Sequence, residues 1–278
     1  MKGKIALLGE SVEKSLSPAM HNLAFESLSL PYEYQAISVP RENFKKVFTE
    51  AQESFRGLNI TIPYKETAIP YLTRSSKRVE KLQAVNTVLF EHENGIGENT
   101  DVDGFIESVK RTGYSLDKEK SAFVVGAGGA AKAAIEALDS LGVRRFAVAT
   151  RSPERMDAFN NWFSKHYSAK LVCLDFKEKS SWEKELADTT VFVNAAPLAA
   201  CEAIPFFEQI SFPNGVLVME WVYLPKQTPW LKKGEQAKGT LVEGYKLLLC
   251  QGMKSFEIWT GEKAPEKIMM NALLEKVR

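Results

Sequence analysis

Three groups of residues have side chains and spacings suited to chemistry. In the first, Ser15 and Ser17 stand one residue apart in the 10–18 stretch, where two hydroxyls at a strand-to-helix junction could hold an oxygen-rich ligand. In the second, Lys65 follows the 57–63 run, in which Leu58, Ile60 and Ile62 alternate with Asn59 and Thr61. That alternation predicts a strand with one apolar and one polar face, and a lysine just past a strand end is how α/β proteins present chemistry. Asp101 and Asp103 stand at the start of a predicted helix, where they either cap it or one of them pairs with a lysine.

The third group is Gly126-Ala127-Gly128-Gly129-Ala130-Ala131, directly after the β-branched run Val124-Val125. Gly126, Gly128 and Ala131 fill a dinucleotide pattern: a tight turn, a close backbone approach to a pyrophosphate, and helix-on-strand packing. The helix N-terminus that follows offers unpaired N–H groups and the positive end of its dipole to an anion. About 20 residues on, where a carboxylate would bind the ribose hydroxyls of NAD, the chain has Thr150-Arg151-Ser152-Pro153-Glu154-Arg155. A guanidinium flanked by hydroxyls suits a 2′-phosphate, so the predicted cofactor is NADP.

These groups need a scaffold of strands and helices. Strands are predicted at 4–9, 31–39, 57–63 and 84–90, and helices at 18–28, with Ser17 as N-cap and Pro18 in its first turn, and at 41–54. Residues 73–81 are expected to form a solvated basic helix face, 93–95 a turn, and 101–110 a helix. The polar 111–120 stretch suggests a domain boundary. Beyond it, strands at 122–125, 145–150, 170–174, 190–194 and 215–221 alternate with helices at 130–141, 153–167 and 181–187, which predicts a doubly wound parallel sheet. Helices at 230–236 and 245–260 and a tail helix from Pro265 follow.

The 278 residues, 45% apolar and 26% charged, predict a globular protein of two domains or one large one. A net charge of +1 gives no general pull toward nucleic acid or anionic membranes. There is no apolar run long enough to span a bilayer and no secretory pattern at the N-terminus, so a cytoplasmic protein is expected. Cys173, Cys201 and Cys250, like the three histidines, lack metal-ligand spacing, so no metal is expected and the thiols are expected to be reduced.

Several ordered motifs resemble the shikimate dehydrogenase family. They are Ser15-Leu16-Ser17-Pro18-Ala19-Met20-His21-Asn22, Asn59-Ile60-Thr61-Ile62-Pro63-Tyr64-Lys65-Glu66, Ala84-Val85-Asn86-Thr87 and Asn99-Thr100-Asp101. The glycine loop, Val222-Tyr223 with Pro225 and Thr228, Gln251, and Phe256-Glu257-Ile258-Trp259-Thr260-Gly261 continue the match.

The resemblance implies reversible NADP-dependent reduction of 3-dehydroshikimate to shikimate, with Lys65 and Asp101 flanking the reacting carbonyl or alcohol. It implies substrate contacts from Ser15, Ser17, Asn59, Thr61, Lys65, Asn86, Asp101, Tyr223 and Gln251. Cofactor contacts are implied for Gly126, Ala127, Gly128, Gly129, Ala130, Thr150, Arg151, Ser152, Arg155, Asn194, Val222 and Gly244. It also implies an α/β fold of two domains: a mixed-sheet substrate domain, 1–105 with 243–278, and a Rossmann-like NADP domain, 106–242, in a monomer or homodimer.

Departures from the family pattern fall on the cofactor side. Residues 194–200 read Asn-Ala-Ala-Pro-Leu-Ala-Ala without the usual hydroxyl and glycine, Glu220 replaces an aspartate, and Lys246-Leu247 replace glycine and methionine. Two other readings follow: a quinate/shikimate dehydrogenase using NAD, and a non-catalytic sensor that keeps only the substrate pocket. Arg151 opposes the use of NAD, and the intact Lys65 and Asp101 oppose the loss of catalysis.

Overall fold

Short apolar runs punctuated by glycine and proline form the strands of a computed structural model that describes residues 3–92, 94–116 and 120–277. The chain divides into two compact units, one running to Gly104 and resuming at Leu249–Lys276, the other Phe105–Leu248.

The first unit contains β1 (Gly3–Gly9), α1 (Ser17–Ser27), β2 (Tyr32–Ser38), α2 (Phe44–Ser54), β3 (Phe55–Ile60), β4 (Arg74–Ser75), α3 (Lys77–Leu82), β5 (Thr87–Glu91), β6 (Asn94–Glu98) and the start of α4 (Asp101–Thr112). Its sheet is mixed, in the order β2-β1-β3-β5-β6-β4. β1 runs parallel to β2 and β3, whereas β5 is antiparallel to both β3 and β6. Phe44, Phe48, Leu58, Ile60 and Tyr64 belong to one buried cluster on this sheet.

Several local expectations change here. Ser17 does not cap α1: Leu16 is the N-cap residue, and the Ser17 N–H donates to Ser15 Oγ at 3.2 Å. The third strand ends at Ile60 rather than Pro63, and both its faces are covered, leaving Asn59 6% exposed while Ile62 is 59% exposed. The fourth strand starts at Thr87, and 84–86 form a buried approach to it. Asn94 and Gly95, expected in a turn, begin β6, and Glu93 lies outside the described residues. The basic 73–81 stretch opens with β4 and buries Val79, so it is not solvated throughout.

The second unit takes up α4 and continues through β7 (Ser121–Val125), α5 (Gly129–Ser140), β8 (Arg145–Thr150), α6 (Pro153–His166), β9 (Lys170–Asp175), α7 (Lys179–Ala187), β10 (Val191–Asn194), β11 (Leu217–Glu220), α8 (Pro229–Gln236) and β12 (Thr240–Val242). The strand order is β12-β11-β10-β7-β8-β9, and every pairing is parallel. This is the doubly wound order of a Rossmann fold, and β7 is buried along its whole length, as a sheet covered by helices requires. Phe123, Trp182, Phe192 and Trp230 fill one core cluster.

Finally α9 (Gly244–Thr260) carries the chain from the second unit back to the first, where α10 (Glu266–Lys276) packs on α1. The first crossing lies inside α4, upstream of the 111–120 stretch, of which 117–119 lie outside the described residues.

Candidate active site

Lys65 leaves the turn after β3, and its carbonyl accepts the Val85 N–H at 2.8 Å, which ties the lysine to the approach of β5. Its ammonium lies 2.5 Å from Asp101 Oδ2, with side chains 13% and 5% exposed. The two alternatives for the aspartates therefore resolve into two pairs: Asp101 with Lys65, and Asp103 with Arg78 in a fork of 2.5 and 3.2 Å. A buried ion pair with few other partners for its ammonium can both donate to a substrate oxygen and hold a proton.

Asp101 is positioned from several sides. Asn86 Nδ2 donates to Asp101 Oδ1 at 2.9 Å, and Asn99 Oδ1 accepts the Asp101 N–H at 3.1 Å. Asn86 Oδ1 in turn accepts the Thr100 N–H at 2.8 Å. Gln251 reaches this cluster because α4 and α9 approach closely at Gly104, where an added Cβ would lie 2.6 Å from Gln251 Cβ. Its Oε1 is 3.4 Å from Asn86 Nδ2.

Below the pair lies a group of hydroxyls that sequence reasoning missed. Ser255 Oγ is 2.8 Å from Thr87 Oγ1, 3.1 Å from Thr100 Oγ1 and 3.2 Å from Asn59 Nδ2, all buried. Ser255 lies one helical turn beyond Gln251, so that i, i+4 spacing was the available signal. Asn59, expected to contact substrate, has its polar atoms engaged within the protein. Its Oδ1 accepts the Tyr34 hydroxyl at 2.7 Å and its amide faces Asn86 O, Thr87 and Ser255, which leaves no donor over.

Ser17 and Thr61 differ from Asn59: among the described residues their hydroxyls have no protein hydrogen-bond partner. Ser15 still has its O–H to donate, since its oxygen only accepts from Ser17. His21 is wholly buried and stacked at 4.6 Å on Tyr34, and neither ring nitrogen has a hydrogen-bond partner among the described residues. Burial pushes it down to about 3, so the ring is neutral.

In the second unit Gly126 has φ +112, and an added Cβ there would lie 2.9 Å from Ala195 O, so the turn requires glycine. Gly128, the N-cap residue of α5, provides no side-chain cap, and an added Cβ would meet nothing within 4 Å. Ala127, Gly129 and Ala130 are half-buried beside it. Among the described residues no side chain caps the first turn of α5. At the end of β8, Thr150 is buried, while Arg151 and Arg155 are exposed. Ser152 caps α6 through the Arg155 N–H and donates to Glu154 at 2.8 Å; the backbone N–H of Glu154 first, and the Ser152 hydroxyl second, hold that carboxyl below its ordinary range.

Asn194, expected to contact the cofactor, has its side chain engaged within the unit. It is wholly buried, and its amide donates to Glu220 Oε1 at 2.7 Å while its Oδ1 accepts the Ala196 N–H. Leu247 is buried, and Lys246 is paired with Glu243 at 2.6 Å. Val222, Tyr223 and Gly244 lie in this same unit. Among the described residues no group of three acidic, histidine or cysteine side chains could hold a metal ion, and no helix is long and apolar enough to cross a membrane.

Comparison with known proteins matches residues 7–88 to the shikimate dehydrogenase substrate binding domain and 244–274 to the shikimate 5′-dehydrogenase C-terminal domain. The chain is 34% identical to the shikimate dehydrogenase (NADP(+)) of Methanopyrus kandleri, over 99% of this chain and 96% of that protein. It is similar to the crystal structure of shikimate 5-dehydrogenase from Thermus thermophilus in complex with NADP(H) and shikimate, with TM-score 0.84, 32% identity and 99% of each chain covered. Quinate dehydrogenase from Corynebacterium glutamicum in complex with NAD is also similar, with TM-score 0.85 and 27% identity over 99% of each chain.

Proposed function

The chain belongs to the shikimate dehydrogenase family, and from that premise we propose that Lys65 and Asp101 are the catalytic pair for reversible reduction of 3-dehydroshikimate to shikimate. The activity is that of an NADP-dependent shikimate dehydrogenase. The observation that carries the residue assignment is the 2.5 Å Lys65–Asp101 pair, with Asp101 buried, Lys65 partly buried, and polar groups around them.

The substrate domain is the first unit, close to the expected 1–105 with 243–278, and the cofactor domain is the second, close to the expected 106–242 but including 243–248. Ser15, Ser17 and Thr61, whose hydroxyls can still donate, bind the substrate carboxylate and hydroxyls, with Gln251 and Tyr223 completing the set. Asn86 and Asn59 act beneath them, as supports for Asp101 and the hydroxyl cluster.

NADP fits the second unit because α5 opens without a side-chain cap, Gly128 leaves its approach clear, and two exposed arginines follow β8. Residues 126–130 would hold the pyrophosphate, and Thr150, Arg151, Ser152 and Arg155 the 2′-phosphate. When bound, the cofactor supplies hydride to the carbonyl carbon or accepts it from the alcohol carbon.

The chain's own contribution is the proton. As the carbonyl oxygen gains charge, the Lys65 ammonium donates to it and releases a proton to it, and Asp101 holds the ammonium in place. In the reverse direction neutral Lys65 takes the alcohol proton. The protein works in the cytoplasm as a monomer or homodimer.

The test follows the absorbance of reduced cofactor with shikimate or quinate paired with NADP or NAD. Shikimate with NADP should give the highest kcat/KM by about tenfold or more, an advantage of about 1.4 kcal/mol. Shikimate binding with no turnover for any pair would replace catalysis by a sensing role.

A further inference from the structure

Glu220 has no part in the catalysis just described, yet its side chain is wholly buried at the end of β11. Three groups donate to its carboxylate: Asn194 Nδ2 at 2.7 Å and the Val222 N–H at 2.9 Å to Oε1, and Thr228 Oγ1 at 2.6 Å to Oε2. All three donors are neutral. Lys233 on α8 gives its ammonium instead to the carbonyls of Glu208 and Ile210. Burial without a cation pushes the Glu220 carboxyl up to about 7. Such a group is expensive to keep where an apolar side chain could fill the space.

What the donors share is the 221–228 segment. Asn194 ends β10 on one side of it, Val222 lies within it, and Thr228 closes it as the N-cap of α8. The Asn194 carbonyl also accepts the Trp221 N–H at 3.0 Å. The carbonyl side of Val222 is closely packed as well: an added Cβ at Gly244 would lie 2.3 Å from the Val222 carbonyl oxygen. The backbone of Val222 is thus held at its N–H by Glu220 and packed at its carbonyl, in the following peptide group, against Gly244.

We propose that Glu220 is a positioning residue for the cofactor, whose carboxylate fixes the backbone of Val222 and Tyr223 in the conformation that receives NADP. The proposal rests on the NADP reading of this unit. Glutamate at this place spans from Asn194 to Thr228. Aspartate, one methylene shorter, keeps the Val222 N–H in an Asx-like turn and loses one of the other two donors.

The test measures the NADP Kd by quenching of intrinsic tryptophan fluorescence, and kcat at saturating cofactor, for the parent, Glu220→Gln, Glu220→Asp and Glu220→Ala. All are assayed at a temperature where circular dichroism shows each to be folded. Glutamine keeps one oxygen for the two N–H donors and should hold Kd within about threefold; alanine should raise it about tenfold or more, and aspartate should fall between. The change should appear in Kd and the cofactor KM rather than in kcat.

A lowered melting temperature with NADP Kd unchanged in Glu220→Ala would make Glu220 a stability residue and overturn the proposal. If Glu220→Ala does not fold, equal affinities for the Asp and Gln variants would overturn it. Failure of the parent itself to bind NADP would defeat the cofactor reading and this proposal together, whereas parental binding with unaffected variants defeats this proposal alone.

Discussion

Asp101 and Glu220 are both buried carboxylates at the ends of polar networks, one in each unit, and they are held in opposite ways. Asp101 faces the Lys65 ammonium at 2.5 Å, with Asn86 as a second donor. Glu220 faces an amide, a peptide N–H and a hydroxyl, with no cation paired to it among the described residues. The difference separates two uses of a buried carboxylate. A partner that can itself gain and lose a proton makes the pair a chemical device, whereas fixed neutral donors make the carboxylate a clamp on the backbone.

The largest expected contrast is in turnover. Asp101→Asn leaves the Lys65 ammonium without its counter-charge and should lower kcat by about 10² to 10⁴, the range for a general acid–base group, while Glu220→Gln retains it within about threefold. Equal losses in steady-state assays would erase the distinction.

The next contrast is the stability of the Glu220 site against pH. A carboxyl held at about 7 in the fold, against an ordinary 4.5, favours the protonated folded state. Its stabilising contribution is therefore full below about pH 4.5 and is lost as pH rises through 7. Glu220→Gln should gain on the parent between pH 5 and 8, by up to about 3 kcal/mol in denaturant titrations. A constant difference across that range would mean that the site is well solvated.

His21 in the first unit has the opposite sign. Held at about 3 by burial, against an ordinary 6.5, it favours the neutral fold, so its contribution is present above pH 6.5 and lost as pH falls toward 3. His21→Phe should remove an acid-side slope of about 1.4 kcal/mol for each pH unit below 6.5. Parallel stability curves for parent and variant would contradict that. The smallest effect is that of Ser255→Ala, which strips one hydroxyl from Thr87, Thr100 and Asn59 and should cost about 1 to 2 kcal/mol of stability, with a modest rise in shikimate KM. An unchanged midpoint and KM would show that the hydroxyl cluster does not support the pair.

Much of the second unit was legible from local pattern. A β-branched run, a glycine turn and an alanine-rich helix are contiguous, and the parallel order repeats that unit, so period and punctuation sufficed. The three-residue β12 was missed because it is too short to show a period. In the first unit the chemistry depends on residues far apart in the chain. Lys65 and Asp101 carried recognisable local signals, but their meeting depends on the Lys65 carbonyl holding Val85 and on Asn86 spanning to Asp101. Gln251 and Ser255 return on α9, and nothing in their own periodicity announces that return; the family resemblance did so for Gln251 but not for Ser255. A polar residue in an alternating strand resembles a surface group, but β3 is covered on both faces and Asn59 is buried, a point that local alternation does not show.

The central claim is that Lys65 moves the proton while the second unit binds cofactor independently of it. The most direct measurement is kcat of Lys65→Ala at saturating shikimate and NADP, together with its NADP Kd. A fall in kcat of at least about 10², with Kd within about twofold of the parent, is the predicted result, and near-parental turnover would contradict the assignment.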